Sequence, residues 1–233
     1  ISAEVLRNLV RKGWLLEGRR RVLRDSYEGM EVSRETLELT GEQKAAIQAV
    51  EEAREKQEAR TFLLQGITGS GKTEVYLRLT ARALQAGRQV MVLVPEIALT
   101  GQIVKRFKAW FGGAVAVAHS RLSPGERADV WCRMRSGQAR VLIGVRSAVF
   151  CPFSSLGLIL IDEEHEGTYK QEERPSYHAR LVAQYRAHYW KVPVVLGSAT
   201  PDLESYYLAE KGVYTHLRLT HRAKAGSHLP KVS

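Results

Sequence analysis

Six short runs of Val, Leu and Ile, set apart by longer amphipathic stretches, constrain the fold of this chain more than any other feature. They are T-F-L-L-Q-G from residue 61, Q-V-M-V-L-V from 89, A-V-A-V-A-H from 114, R-V-L-I-G-V from 140, L-G-L-I-L-I-D from 156 and V-P-V-V-L-G-S-A from 192. Nearly continuous apolar content marks strands covered on both faces, whereas a half-exposed strand alternates. The intervening stretches 73–86, 98–111, 123–136 and 178–190 have helical spacing, and a further helix is expected after Thr40, running to about Arg60. Strands alternating with crossover helices predict an α/β fold with a mainly parallel, doubly wound sheet.

The ends of these strands carry the chemistry. Gly66-Ile67-Thr68-Gly69-Ser70-Gly71-Lys72-Thr73 fits G-x-x-x-x-G-K-[ST] at every fixed position and stands between a strand and a helix, where a phosphate loop belongs. Its glycines let the backbone wrap a phosphate with the N–H groups turned inward. Lys72 is placed to neutralise β- and γ-phosphate charge, and the Thr73 hydroxyl to ligate Mg²⁺. ATP with Mg²⁺ is therefore the expected cofactor pair, bound by Gly66, Thr68, Gly69, Ser70, Gly71, Lys72 and Thr73 in a P-loop NTPase domain of RecA-like architecture.

A second strand end, L-I-L-I-Asp162-Glu163-Glu164-His165, delivers acids at the sheet edge where open α/β sheets bind ligands. Asp162 is suited to hold Mg²⁺ and Glu163 to orient or deprotonate an attacking water, so Lys72, Asp162 and Glu163 are the candidate catalytic residues. A third strand end carries Gly197-Ser198-Ala199-Thr200-Pro201. Phosphate loop, D-E-E-H and S-A-T in this order resemble the first motor lobe of superfamily 2 helicases. In those, His165, Ser198 and Thr200 would couple hydrolysis to movement on nucleic acid.

Composition agrees with a polyanionic partner. The net charge is +10, from 35 Lys and Arg against 25 Asp and Glu, and residues 61–150 alone hold thirteen basic and four acidic side chains. A basic region of this size suits nucleic acid, although solvated Arg-rich helices look the same in composition. No apolar run approaches the roughly 18 residues of a membrane span, and nothing near Ile1 reads as a signal peptide, so a cytoplasmic protein without a membrane partner is expected. Cys132 and Cys151 form neither a Cys-x-x-Cys pair nor a disulfide framework.

Longer strings narrow the resemblance. G-I-T-G-S-G-K-T-E-V-Y, V-P-E-I-A-L-T, H-S-R-L-S-P-G-E-R, I-G-V-R-S-A-V-F-C-P-F, I-D-E-E-H-E-G-T-Y-K-Q-E and L-G-S-A-T-P-D-L-E-S together are similar to the bacterial replication-restart branch of superfamily 2, over most of residues 36–230. The resemblance implies a DNA helicase of 3′ to 5′ polarity acting on stalled or branched forks. Its expected partners are forked and single-stranded DNA, primosome proteins and single-stranded DNA-binding protein. It implies that Gln43 reads the adenine edge, although the residue also suits a helix cap behind Thr40. Thr100, Arg146 and Ser147 would contact the DNA backbone. His119 and Ser120 sit at another strand end, where a structural role is equally open.

Residues 168–180 resemble an aromatic-rich loop, in which Tyr169 and Tyr177 would stack on unpaired bases while Lys170 and Arg174 supply charge. Val145 stands where the family has Thr, Ser176 where a basic residue is usual, and Leu181 where an acid is usual. At the N-terminus, Val5, Leu6, Leu9 and Val10 predict a helix stopped at Gly13. Two short strands at 14–16 and 21–23 would follow, as at the end of a winged-helix domain or in an unrelated appendage. The expected organisation is a winged-helix end over 1–30, motor lobe 1 over 31–220 and a lead into a second lobe over 221–233. Zinc, in this resemblance, belongs to a cysteine cluster outside this chain. Poor hydrolysis without the second lobe is expected. Another superfamily 2 translocase, RecG-like or restriction-type, is the alternative, as is a DNA-binding module with a relic nucleotide site.

Overall fold

A computed structural model describes residues 3–12, 14 and 38–222. The expected N-terminal helix is present as α1 (Ala3–Arg11). The hairpin strands at 14–16 and 21–23 lie, apart from Trp14, outside the described residues, as do residues 223–233.

From α2 (Gly41–Glu55) onward the chain builds a sheet of seven strands in the order β3-β4-β2-β5-β8-β1-β9. These are β1 (Thr61–Gly66), β2 (Gln89–Leu93), β3 (Val115–Ala118), β4 (Val141–Gly144), β5 (Leu156–Ile161), β8 (Val194–Ser198) and β9 (Thr215–Leu219). Every neighbouring pair is parallel, so all seven C-terminal ends share one edge. Six of the strands are the six apolar runs. The seventh, β9, reads T-H-L-R-L and is only partly buried, which is why composition did not reveal it. A short antiparallel ribbon, β6 (Lys170–Gln171) with β7 (Tyr177–His178), lies within the expected aromatic loop.

Alternate residues of each strand feed opposite cores. Phe62, Leu64, Val90, Val92, Leu158 and Leu160 pack under α2, α3 (Lys72–Gln85) and α4 (Gln102–Phe111). Leu63, Met91, Leu93, Ile159, Ile161 and Leu196 pack under α5 (Pro124–Arg135), α6 (Ala179–Trp190) and α7 (Leu203–Glu210). All twelve of these strand residues are wholly buried. Two-sided burial removes the polar alternation of an open sheet, as the sequence implied.

Two helices differ from expectation. Helix α2 stops at Glu55, not near Arg60, because Gln57 takes a left-handed conformation (φ 54°). The Gln57 N–H donates to the Arg54 carbonyl and the Glu58 N–H to the Ala53 carbonyl, a Schellman closure made without glycine. The stretch 98–111 divides into a 3₁₀ turn, Glu96–Thr100, and α4, with Gly101 extended between them. No described helix is long and apolar enough to cross a membrane.

Candidate nucleotide and coupling site

Strand register brings the motifs together. Leu64 pairs with Gly197, Gln65 with Ser198 and Ile161 with Leu196, so the phosphate loop, Asp162 and the S-A-T turn leave the sheet within one residue step of each other.

The phosphate loop links β1 to α3. Gly69 and Gly71 have φ of +83° and +85°, values that side chains disfavour, and this turns successive N–H groups to one side. Gly71 caps α3 without a side-chain bond; the Glu74 N–H is taken by the Gly71 carbonyl, which leaves the Lys72 and Thr73 N–H groups for an anion at the positive end of the helix. The Lys72 ammonium crosses the loop to the Gly66 carbonyl at 2.9 Å and lies 3.9 Å from Glu163 Oε1. The Ser70 hydroxyl is buried without a hydrogen-bond partner inside the loop. A cradle of open donors with one orphan hydroxyl and one ammonium fits a polyphosphate.

Gln43 is 1% exposed and serves the helix cap. Its Oε1 accepts from the Thr40 N–H at 3.0 Å, and its Nε2 donates to the Ser70 carbonyl at 2.8 Å. Of the two roles open in the sequence the capping role is realised, with a brace on the phosphate loop added. Each end of the amide thus makes one bond to protein, which leaves a second lone pair on Oε1 and a second hydrogen on Nε2.

Asp162 follows β5. Burial, reinforced by the neighbouring Glu163, pushes its carboxyl up to about 6. Tyr76 of α3 donates to Asp162 Oδ1 at 3.0 Å, and Tyr169 donates to the Asp162 carbonyl at 2.6 Å. Among the described residues no group of three or more His, Cys, Asp and Glu side chains could enclose a metal. Thr73 and Asp162 flank the cradle with one hydroxyl and one carboxylate, a donor set suited to Mg²⁺ that keeps waters and phosphate oxygens as its other ligands.

Glu163 has a φ of +43°, a strained value for a residue with a side chain, at the turn that carries the acids off the strand. Its other oxygen is 3.7 Å from His165 Nδ1. His165 Nδ1 lies 2.8 Å from the wholly buried Ser198 Oγ, which accepts from the Thr200 N–H at 3.0 Å. His165, Ser198 and the Thr200 backbone N–H therefore form one connected hydrogen-bond chain, and Glu163 Oε2 stands 3.7 Å from its histidine, beyond hydrogen-bond distance.

The DNA-facing assignments fare differently. Tyr169 is 1% exposed with its hydroxyl engaged, so it is not a stacking platform for bases; it is a strut between the loop and Asp162. Arg146 donates to the carbonyls of Thr168 (3.3 Å) and Lys170 (2.7 Å), gripping the chain on both sides of Tyr169, and lies 6.0 Å from the centre of the Tyr177 ring. Tyr177 packs edge-on against the exposed Phe150 at 4.9 Å. Lys170 is exposed and pairs with Glu172. Ser147 is exposed, and Thr100 closes the 3₁₀ turn before α4. Arg146, Ser147, Glu96, Ser120 and Thr168 line a cleft of about 200 Å³ at this edge.

Three residues were not singled out from the sequence. Tyr76 was visible only as part of G-K-T-E-V-Y, yet three residues past Thr73 puts it on the same helix face. Glu164 is 2% and Arg180 3% exposed, and they pair at 3.1 Å. Nothing in D-E-E-H separates an inward Glu164 from an outward Glu163.

A phosphate loop facing an acidic strand end and a serine-threonine turn across one parallel edge defines the nucleotide-binding motor lobe of the RecA-like P-loop proteins. Residues 36–203 match the family described as type III restriction enzyme, res subunit, and the chain belongs to that family. It is 51% identical over 222 residues to the replication restart protein PriA of Bacillus subtilis, covering 95% of this chain and 28% of that protein. To PriA of Chlamydia pneumoniae it is 50% identical over 84% of this chain and 26% of that protein. To PriA of Synechocystis it is 46% identical over 90% and 25%. The chain thus spans between 25% and 28% of the length of these relatives. In fold it is similar to RecG bound to a three-way DNA junction (TM-score 0.61, 24% identity, 98% of this chain and 27% of that one). It is also similar to the UvsW helicase of bacteriophage T4 (TM-score 0.56, 18% identity, 84% and 64%).

Proposed function

We propose that this chain is the ATP-binding motor lobe of a PriA-like replication-restart helicase, working on forked and single-stranded DNA from a cytoplasmic location. The observation that carries the reading is the continuity of the site: Lys72 reaches toward Glu163, Glu163 toward His165, and His165 bonds Ser198.

In this reading the loop N–H groups and Lys72 hold the triphosphate, and Thr73 with Asp162 holds Mg²⁺. Bound Mg²⁺ would neutralise charge on the phosphate oxygens as it builds in the transition state. Glu163 orients or deprotonates water from the other side of the γ-phosphate. The His165–Ser198–Thr200 chain passes the state of the acids to the S-A-T turn. Thr100, Arg146, Ser147 and Lys170 contact the DNA backbone, which positions the protein without reading sequence.

We assign residues 1–30 to the end of a winged helix, 31–220 to the lobe and 221–233 to the lead toward a second lobe. That lobe would supply the transition-state arginine, worth orders of magnitude in rate. Primosome proteins and single-stranded DNA-binding protein are the partners proposed for the whole protein.

The test is binding of a fluorescent ATP analogue with Mg²⁺, followed by turnover with and without forked DNA, beside a version that continues into the second lobe. The expected result is Mg-dependent binding that Lys72→Ala abolishes, with DNA-stimulated turnover only in the longer version. Failure to bind nucleotide would overturn the proposal.

A further inference from the structure

Tyr76 lies wholly buried on α3, three residues after Thr73 and four after Lys72. Its ring crosses the end of β8 to reach the acidic strand end, and its hydroxyl donates to Asp162 Oδ1 at 3.0 Å. The crossing needs space that only a missing side chain provides. A Cβ on Gly197 would stand 1.6 Å from the Tyr76 hydroxyl oxygen and 2.9 Å from its Cζ, both inside van der Waals contact. Gly197 has no positive φ, so its backbone would admit any residue; the tyrosine is what excludes a side chain there.

From this geometry we infer that Tyr76 is a positioning residue for the metal carboxylate, and that the glycine of G-S-A-T exists to admit it. The inference rests on the proposed Mg-ATP site and deepens it. A phenol donating to Oδ1, beside the Glu163 backbone N–H that the same carboxyl accepts, restrains the orientation of the group. The donor comes from the same helix that carries Lys72 and Thr73, so phosphate loop and metal carboxylate move as one unit. Outer partners of this kind orient metal ligands, and their loss typically weakens metal affinity by about 10-fold or more.

The experiment titrates Mg²⁺ into the chain with a fluorescent ATP analogue, comparing the parent with Tyr76→Phe. The variant keeps the ring and removes only the donor. The expected result is an Mg²⁺ midpoint raised about 10-fold, with nucleotide affinity in chelator unchanged. Loss of packing alone would lower the melting temperature without moving the midpoint. A midpoint equal to the parent's overturns the inference while leaving the ATP site standing; a parent that binds no nucleotide overturns both. A double-mutant cycle reads the second half by melting temperature. Gly197→Ala is expected to destabilise strongly beside Tyr76 and much less beside Tyr76→Leu. Equal cost in both backgrounds would remove the role assigned to the glycine.

Discussion

Arg180 and Glu164 form an ion pair 3.1 Å long with both side chains shut off from solvent, joining the first turn of α6 to the acidic motif. The pair closes residues 165–179 into a loop whose two ends meet behind Asp162 and Glu163. Glu164 also accepts from the Ser205 hydroxyl and the Asp202 N–H, each at 2.8 Å, while Arg180 bonds Ser205 and Glu204. The turn after S-A-T and the loop after D-E-E-H are thus anchored on one buried carboxylate.

Arg180→Ala leaves Glu164 buried without its cation, so it is expected to cost about 3–5 kcal/mol. Arg180→Met combined with Glu164→Leu removes both charges and is expected to cost less than the single change. Urea unfolding of the two variants beside the parent checks this ordering. If the double change costs as much as Arg180→Ala, the loss is one of shape and not of charge.

Tyr169→Phe keeps a ring in the core but deletes the bond to the Asp162 carbonyl. The expected stability loss is about 1 kcal/mol, against about 3–5 kcal/mol for Tyr169→Ala, which also empties a cavity. Arg146→Ala releases the carbonyls of Thr168 and Lys170 at a half-exposed site. It should leave global stability nearly unchanged while speeding tryptic cleavage after Lys170, the Arg174–Pro175 bond being resistant to trypsin. Unaltered cleavage would mean that Arg146 does not hold the loop.

Strands and motifs were legible in the sequence because both follow local rules. Residues 89–94 and 156–161 are too apolar to lie anywhere but between two layers, and a phosphate loop requires the strand and helix that flank it. What stayed hidden depends on three-dimensional neighbours. Gln57 ends α2 without the glycine that would have announced it. Strand β9 carries His216 and Arg218 because it forms the sheet's edge beside β1, so it lacks the apolar run that marks the inner strands. Tyr169 looked like an exposed aromatic in a polar string, and only the packing of its loop behind Asp162 buries it. Glu164 differs from Glu163 in nothing but the side of the turn on which it falls.

The two cysteines should react very differently. Cys151 is wholly buried, and burial pushes its thiol up to about 12, so almost no thiolate exists at pH 8. Cys132, on α5, is partly exposed. Brief iodoacetamide treatment of the folded chain is expected to label Cys132 alone, with Cys151 labelled only in denaturant. Mass spectrometry of tryptic peptides reads the sites, and rapid native labelling of Cys151 would contradict its placement in the core.

Asp162 makes stability depend on pH in a direction opposite to that of most carboxylates. Its folded value of about 6 stands above the ordinary 3.8, so between pH 4 and 6 the folded chain holds a proton that the unfolded chain has released. Stability at this site is therefore present at low pH and is lost as pH rises through that window. His178 and His216 are shifted down by burial and work the other way, losing stability as pH falls below the usual histidine range. A comparison with Asp162→Asn isolates the carboxylate from them. Without Mg²⁺, the variant is expected to be more stable than the parent by about 1–2 kcal/mol at pH 7, allowing for partial solvent access. The advantage should shrink toward zero near pH 4. With Mg²⁺ and ATP the order at pH 7 should reverse, because bound metal stabilises only the chain that keeps its carboxylate. Thermal unfolding at pH 4.5 and 7, with and without Mg-ATP, measures all four cases. A variant no more stable than the parent at pH 7 in metal-free buffer would show that Asp162 is not strained by burial.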